Sequence, residues 1–443
     1  MESLRTTSVV IKDKHIIKKI NDMLIDTTCV YDQTLYYYRQ EYFRVRDINN
    51  DKKSKLKEGE KMVYEKAVYP KLKEVYDLVK EKESWKESKL DHVVKTAALQ
   101  SAITNWFTML KSLKVYFKGG KQFDYNYNVP GFPHYLLKHN RVINLTIDKT
   151  RLRKKGCKNN QLKLPKSDIK LNIPKNINRK DIRCLIITRY YDYIKINFVY
   201  NKIIKQNNMN LDSNNVIGID MGTNNILAIT TNNQDKSWIV KGGRIKSINQ
   251  YCNKKVADIK SELEKHKKFT SKRLRKLYMK RGHKIDYECH CISKKIILLC
   301  LMYNIGKIVI GHNNNWKQNV HLGKSNTETE KRNNQNFVSI PHSKLINYIK
   351  YKAEEQGIKV IVVEESYTSK IDHLALESLE HQESYLGKRL TRGLYKSSIC
   401  GKLLNADCNG AIGIMRKANE ISDADIICLR NRGDVVSPLI LKY

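Results

Sequence analysis

No Cys-x-x-Cys pair occurs in this sequence, although ten cysteines are scattered through it. Without paired spacing there is no ready zinc ribbon, and lone cysteines in a chain of this size read as reduced thiols rather than a disulfide framework. Cys289-His290-Cys291 lies in a helical stretch, where adjacent side chains point in different directions and cannot close on one ion, so no zinc is expected. Apolar runs are short too. The longest, Ile296 to Tyr303, suits a core helix and falls well below the ~20 residues that span a bilayer. The opening Met1-Glu2-Ser3-Leu4-Arg5 lacks the apolar core of a secretory signal. A soluble intracellular protein with no membrane partner is the expectation. Acids are the third scarcity: 45 Asp and Glu stand against 83 Lys and Arg, a formal charge of +38 over 443 residues. Such a chain repels itself when compact and calls for a polyanionic partner, nucleic acid first.

What is present falls into three regions. Thr7 to Lys12 is β-like, and apolar residues then recur at helical spacing from His15 to about Phe43, through Ile16, Ile20, Leu24, Tyr31, Leu35 and Tyr38. Asp47 to Lys61 is charged and apolar-poor and reads as a loop. Helical patterns resume over Met62 to Lys80 and Trp85 to Phe117. After Pro130-Gly131-Phe132-Pro133, short β-branched runs follow at Val142 to Ile147, Ile169 to Ile173, Ile182 to Thr188 and Tyr193 to Tyr200. Among them sits a dense basic cluster containing Lys149, Arg151, Arg153, Lys154 and Lys155, a candidate phosphate cradle.

The third region opens on Val216 to Thr230, an apolar run carrying Asp220, then a Gly-Thr-Asn-Asn turn and a second apolar run. This is the pattern of a buried strand turning into its antiparallel neighbour. A carboxylate on a central strand costs several kcal/mol unless a cation or a hydrogen-bond network meets it, and a metal ion is the economical partner. Asp220 alone also fits a turn residue that satisfies backbone N–H groups. A strand at Ser237 to Val240 follows. One long basic helical stretch then runs from Ser247 to about Tyr303, crowded with Lys272, Arg273, Arg275 and Lys276. A strand at Lys307 to Ile310, a helix from His342 to Gln356, a strand at Lys359 to Val363 and a last helix from Asp407 to Ala418 complete an α/β layered sheet.

Gly218-Ile219-Asp220-Met221-Gly222-Thr223-Asn224-Asn225, Trp316-Lys317-Gln318, Asn336 to Pro341, Tyr351 to Glu354, Glu365 to Lys370 and Asn405 to Ala411 together resemble the TnpB family. These are transposon-encoded RNA-guided endonucleases, with Fanzor proteins and type V CRISPR effectors as relatives. The likeness is specific over residues 213–443 and looser before them. It implies an α/β plus β multidomain chain. Residues 213–443 would be an RNase H-like (RuvC) nuclease domain; residues 1–12 and 118–212 a β-barrel-like wedge domain; and residues 13–117 a helical recognition module inserted in it. It also implies a guide RNA, double-stranded target DNA, and two Mg²⁺ ions held by carboxylates. The compartment would be cytoplasmic in a prokaryote, and the nucleus or a virus factory in a eukaryotic or viral setting.

Two departures stand out. The family's second carboxylate belongs at the end of the strand Lys307 to Ile310, where this chain has Gly311-His312-Asn313. A relocated Glu before a Tyr-Thr-Ser, as some Fanzor proteins carry, makes Glu365 the replacement beside Asp220 and Asp407, with Glu364 sent to the opposite face. The zinc ribbon is also missing, so residues 366–404 become a degenerate ribbon-like insert that meets nucleic acid through Tyr367, Lys370, Lys388, Arg389 and Arg392. Two other readings remain open. One is a nuclease-inactive, RNA-guided DNA binder of repressor type. The other is an Hsp70 or actin-type ATPase, whose first phosphate hairpin Gly218 to Asn225 resembles but whose second Gly-rich hairpin is not found.

Overall fold

The computed structural model describes every residue except 1, 56–62, 119–129, 153–159, 191–192, 204–210, 234–235, 314–326, 366–367, 400 and 434. It is a mixed α/β chain with several sheets, divided into two compact units, residues 1–203 and 204–443. Among the described residues no helix is long and apolar enough to cross a membrane.

In the amino-terminal unit, β1 (Glu2–Ile11) pairs antiparallel with the distant β6 (Ile194–Ile203), so that Ile11 faces Ile194. Between them in sequence run α1 (Lys14–Ser54), α2 (Leu72–Lys80), α3 (Glu83–Glu87), α4 (His92–Lys118), β2 (Leu145–Asp148), β3 (Gln161–Lys163), β4 (Lys170–Asn172) and β5 (Ile182–Arg189). The main sheet has the order β1-β6-β5-β2, and β3 with β4 forms a separate pair. Strand alternation buries Leu145, Ile147, Leu185 and Ile187 on one face. The helices are thus an excursion between the first strand of this sheet and the rest.

The helix expected to stop near Phe43 continues to Ser54. Its charged end is held by neighbours on the helix surface, Arg44 with Glu41 at 2.8 Å and Lys55 with Asp51 at 2.8 Å, so a segment too polar for a core still makes a solvated helix. The Met62-to-Lys80 pattern is helical only from Leu72. Tyr38, one of the apolar residues at helical spacing, is fully buried and lies 6.0 Å from the Trp106 ring.

The carboxy-terminal unit contains β7 (Asp212–Met221), β8 (Asn225–Thr231), β9 (Ser237–Lys241), α5 (Gly243–Lys265), α6 (Lys272–Met302), β10 (Ile305–Gly311), α7 (Glu328–Ser339), α8 (His342–Glu355) and β11 (Lys359–Val363). A small sheet of β12 (Lys388–Thr391), β13 (Leu394–Lys396) and β14 (Leu403–Asn405) follows, then α9 (Ala406–Lys417), α10 (Asp423–Arg430) and β15 (Leu439–Ile440). The large sheet runs β11-β10-β7-β8-β9-β15, with β10 parallel to both β7 and β11, and β7, β8 and β9 an antiparallel meander.

Two expectations here are corrected. The single helix over Ser247 to Tyr303 is a hairpin of two, because Ser271 caps a new helix by accepting from the Leu274 N–H at 3.1 Å after a turn in which Lys267 is left-handed. The helix at Asp407 is not the last element, since α10 and the edge strand β15 come after it.

Strand β7 is buried on both faces. Ile217, Ile219 and Met221 enter the core shared with α6 and α8, while Val216 packs with Val309, Ile414 and Met415 beneath α9. Gly218 makes that second contact possible. A Cβ there would stand 2.2 Å from the Ala411 carbonyl oxygen, so α9 lies directly on the central strand. Asp220, two residues on, shares the α9 face.

Candidate active site

Three carboxylates line one cavity of about 600 Å³: Asp220 from β7, Glu365 just beyond β11, and Asp407 in the first turn of α9. Each arrives for a local reason. Asp220 continues the row of Val216 and Gly218 toward the start of α9, and Gly410 leaves the space it fills, since a Cβ at 410 would lie 2.7 Å from Asp220 Oδ2. Glu365 continues the row of Ile361 and Val363, which pack beneath α9, whereas Val360 and Val362 pack on the opposite core. Glu364 is accordingly exposed. Asp407 follows the helix N-cap Asn405, whose Oδ1 accepts from the Asp407 and Cys408 N–H groups at 3.1 and 3.3 Å.

Gly311 explains the missing second acid. It ends β10, the strand lying between β7 and β11, and a Cβ on it would sit 2.6 Å from Glu365 Oε1 and 2.7 Å from Glu365 Cγ. The Glu365 side chain therefore occupies the space above residue 311. A glycine at the strand end and a glutamate from the next strand form one spatial arrangement.

Electrostatically the trio is under-compensated. Burial, and then the Glu365 and Asp407 carboxylates, push the Asp220 carboxyl well above its usual range. Burial also raises Glu365, although hydrogen bonding to Asp220 and the Met221 N–H opposes this. Glu365 Oε1 is buried with no hydrogen-bond partner among the described residues. Asp407 is better served: Asn225 Nδ2 donates to its Oδ2 at 2.7 Å, and Arg389 approaches its Oδ1 at 3.6 Å. Among the described residues no three His, Cys, Asp or Glu side chains form a ready-made cluster around a single ion. The carboxylates instead flank a cavity, and a buried carboxylate oxygen beside two further acids is what a bound cation would satisfy.

Several supporting groups carried no sequence signal. Asn313 Oδ1 accepts the Glu365 N–H at 2.7 Å and the His312 N–H donates to the Val363 carbonyl at 2.9 Å, which fixes the turn after β11. The Glu365 carbonyl accepts from Thr368 Oγ1 at 2.9 Å. Thr368 is held in turn by the fully buried His373, whose Nε2–H donates to the Thr368 carbonyl at 2.8 Å. Arg416 Nη1 donates to His373 Nδ1 at 3.2 Å, which fixes the neutral Nε2–H tautomer. Burial pushes the His373 pKa down to about 4.

That depression has a signed consequence. Between about pH 6.5 and pH 4 the unfolded chain binds a proton at this position that the folded chain refuses, so stability is lost as pH falls through the window. The loss is roughly 3 kcal/mol at pH 4. Urea unfolding across this range should show the decline, and His373→Gln should remove about one proton from its slope. An unchanged slope would mean that His373 is not held neutral.

The insert is organised around another carboxylate. Buried Asp372 accepts from Ser397 Oγ at 2.9 and 2.8 Å, from the Ser398 N–H at 2.7 Å and from Ser398 Oγ at 2.9 Å, while Glu377 accepts from the Asp372 and Leu386 N–H groups. Acid bonds to serine hydroxyls and backbone N–H groups thus tie the segments around residues 372–377, 386 and 397–398 together.

Of the cations expected to meet nucleic acid, Arg389 and Arg392 line the carboxylate cavity. Lys388 is exposed on β12, and exposed Lys370 gives its carbonyl to the Tyr395 hydroxyl at 2.9 Å. Lys272, Arg273, Arg275 and Lys276 begin α6 and lie outside this cavity. In the amino-terminal unit, Lys149 donates to the Lys180 carbonyl and Arg151 pairs with Asp91 at 3.6 Å, so these two cations already have partners in the chain. Arg153, Lys154, Lys155, Tyr367 and Trp316 to Gln318 lie outside the described residues.

The profile of the family OrfB_IS605, described as a probable transposase, matches residues 201–317, and that of the Cas12f1-like TNB domain matches residues 342–414. The two matches include the strands and helix that carry Asp220, Glu365 and Asp407. Two segments of the chain are thus similar to TnpB-type proteins. The TnpB-like protein ORF457 of Acidianus two-tailed virus is 27% identical over 216 residues, which is 46% of this chain and 42% of that relative. The match thus spans less than half the length of that curated TnpB-like protein. Among solved structures, a Cas12f1–sgRNA–target DNA complex aligns over 93% of this chain and 98% of its own at 15% identity and a TM-score of 0.35. The mini-RNA-guided endonuclease CRISPR-Cas_phi3 aligns over 55% of this chain and 53% of its own at 12% identity and a TM-score of 0.34.

Proposed function

We propose that this chain is an RNA-guided DNA endonuclease that hydrolyses phosphodiester bonds with Mg²⁺ held by Asp220, Glu365 and Asp407. The observation that carries the reading is the meeting of these three carboxylates, from β7, the end of β11 and α9, in one cavity whose rim bears Arg389 and Arg392. The sheet order β11-β10-β7-β8-β9, with an acid on the central strand and another on the helix packed across it, supports an RNase H-like domain of RuvC type. The helical excursion between β1 and β2 supports a recognition module inserted in a wedge-like β-domain. Guide RNA and double-stranded DNA are the partners that the family and the +38 charge favour.

The carboxylates fit divalent ions, since Glu365 Oε1 lacks a partner among the described residues and Asp220 is burdened by its anionic neighbours. When bound, two such ions would activate a water and stabilise the leaving oxygen of an in-line displacement. The protein's own part is placement. Asn313 and Thr368 fix the Glu365 backbone, Asn225 turns the Asp407 carboxylate, and Arg389 and Arg392 offer charge to a phosphate at the cavity mouth. The insert meets nucleic acid without needing zinc.

The test begins with the RNA that copurifies. Sequenced and supplied as guide, it should direct Mg²⁺-dependent cutting of DNA bearing its complement, and EDTA should stop it. Guided binding without cutting would favour the nuclease-inactive reading, and a preparation free of RNA at low salt would refute both.

A further inference from the structure

A basic groove of about 700 Å³ runs between α5 and α6, away from the three carboxylates. Lys255, Arg273, Lys276, Lys280, Arg281 and Lys284 line it, with no acid among the described residues of its walls. On α6 these cations recur every three or four residues, so they form one row along a helix face. From Arg273 to Lys284 the row is roughly 17 Å long, the length of about five phosphates in a stacked strand. Nearby acids neutralise only part of it: Glu262 meets Arg273 at 3.4 Å and Asp258 meets Lys255 at 3.6 Å. Arg281 is held in place, its Nε donating to Asn249 Oδ1 at 2.8 Å.

The second observation is aromatic. Tyr251 lines the groove and is 60% exposed. Phe269, in the turn between the two helices, is 96% exposed and flanked in sequence by Lys267, Lys268 and Lys272. This bare phenyl ring at the tip of a cationic hairpin stands in solvent, with no ring partner among the described residues. At the other end, Ser247 of the groove follows Lys246, whose Nζ donates to Asn224 Oδ1 at the wall of the carboxylate cavity.

We propose that the α5–α6 groove binds a single strand of nucleic acid, with phosphates along the α6 cations and an unpaired base stacked on Phe269 at the hairpin tip. A duplex would use the cations and leave the ring idle, because its bases are already stacked on one another. Only a single strand offers free base faces together with a phosphate row. The inference does not depend on metal binding or on cleavage.

The test uses the full chain, freed of nucleic acid by a high-salt wash and kept in EDTA, with fluorescein-labelled oligo-dT and oligo-U of about 12 nucleotides read by anisotropy across a salt series. Combined Lys276→Gln, Lys280→Gln and Lys284→Gln should flatten the slope of log affinity against log salt by about 2, at roughly 0.7 per lost phosphate contact. Phe269→Ala should weaken binding roughly tenfold or more with the slope unchanged, and Phe269→Trp should preserve it. All three lysines and Phe269 are exposed, so the changes leave the core intact. Ultraviolet cross-linking of an iodo-deoxyuridine oligonucleotide should map to the Phe269 or Tyr251 peptides. Tighter oligo-U binding would name RNA as the occupant, and equal binding would name the features shared by RNA and DNA. Unchanged affinity and slope in both variants, or equal competition by duplex of the same length, would overturn the proposal. EDTA separates these outcomes from any failure of the nuclease reading.

Discussion

Glu365→Gln is expected to lower guided DNA cleavage by ~10³-fold or more, while Glu364→Gln retains most of it. The magnitude corresponds to roughly 4 kcal/mol of transition-state stabilisation, the scale of removing an anionic ligand from a metal-assisted displacement. The contrast between adjacent glutamates follows from the strand. Ile361 and Val363 send the odd-numbered row beneath α9, so Glu365 reaches the cavity and Glu364 does not. A second signature separates a metal ligand from a structural residue. Burial raises the Glu365 carboxyl and its Oε1 has no partner among the described residues, so in EDTA the glutamine variant should be no less stable than the wild type. Lost cleavage together with lost stability would instead indicate a structural role.

Gly311→Ala should be nearly as damaging to cleavage although it removes no functional group. The new methyl would meet Glu365 Oε1 at 2.6 Å, Glu365 Cγ at 2.7 Å and Ile414 Cδ1 at 2.5 Å, all closer than a real Cβ contact allows. Glu365 or α9 must shift, which costs about 1–3 kcal/mol of stability as overpacking usually does. The displaced carboxylate should lower cleavage by a hundredfold or more, because misplacement of about 1 Å costs on that order. Guided DNA binding measured without divalent ions should stay close to wild type. Full cleavage by Gly311→Ala would show that Glu365 need not occupy the place above residue 311.

These expectations show which parts of the site the sequence carries. The run Gly218-x-Asp220 encodes both the contact with α9 and the first acid, since period-two alternation puts residues 218 and 220 on one face. The resemblance to relatives with a Glu before Tyr-Thr-Ser chose Glu365, alternation sent Glu364 to the opposite face, and the structure brings Glu365 to the cavity with Asp220 and Asp407. What alternation could not convey is why residue 311 is glycine, because the contact joins residues 54 apart in the chain. Asn313, Thr368 and His373 were unreadable for the same reason: their roles are hydrogen bonds to a turn whose course no local pattern sets. The Asp372 hub was hidden because serine and aspartate in a polar insert resemble any solvated loop. Errors of extent had local causes. The charged end of α1 reads as a loop for want of apolar residues, and the break before α6 is hidden because a single capping serine interrupts an otherwise continuous helical pattern.

The most direct measurement is Mn²⁺ binding, followed by calorimetry or electron paramagnetic resonance on the RNA-loaded protein without DNA. Wild type and Glu364→Gln should bind two ions per chain in the same way, whereas Asp220→Asn and Glu365→Gln should each lose an ion or weaken binding at least tenfold, as expected when a carboxylate ligand is removed. Identical isotherms for all four proteins would contradict the assignment of these carboxylates as the metal site.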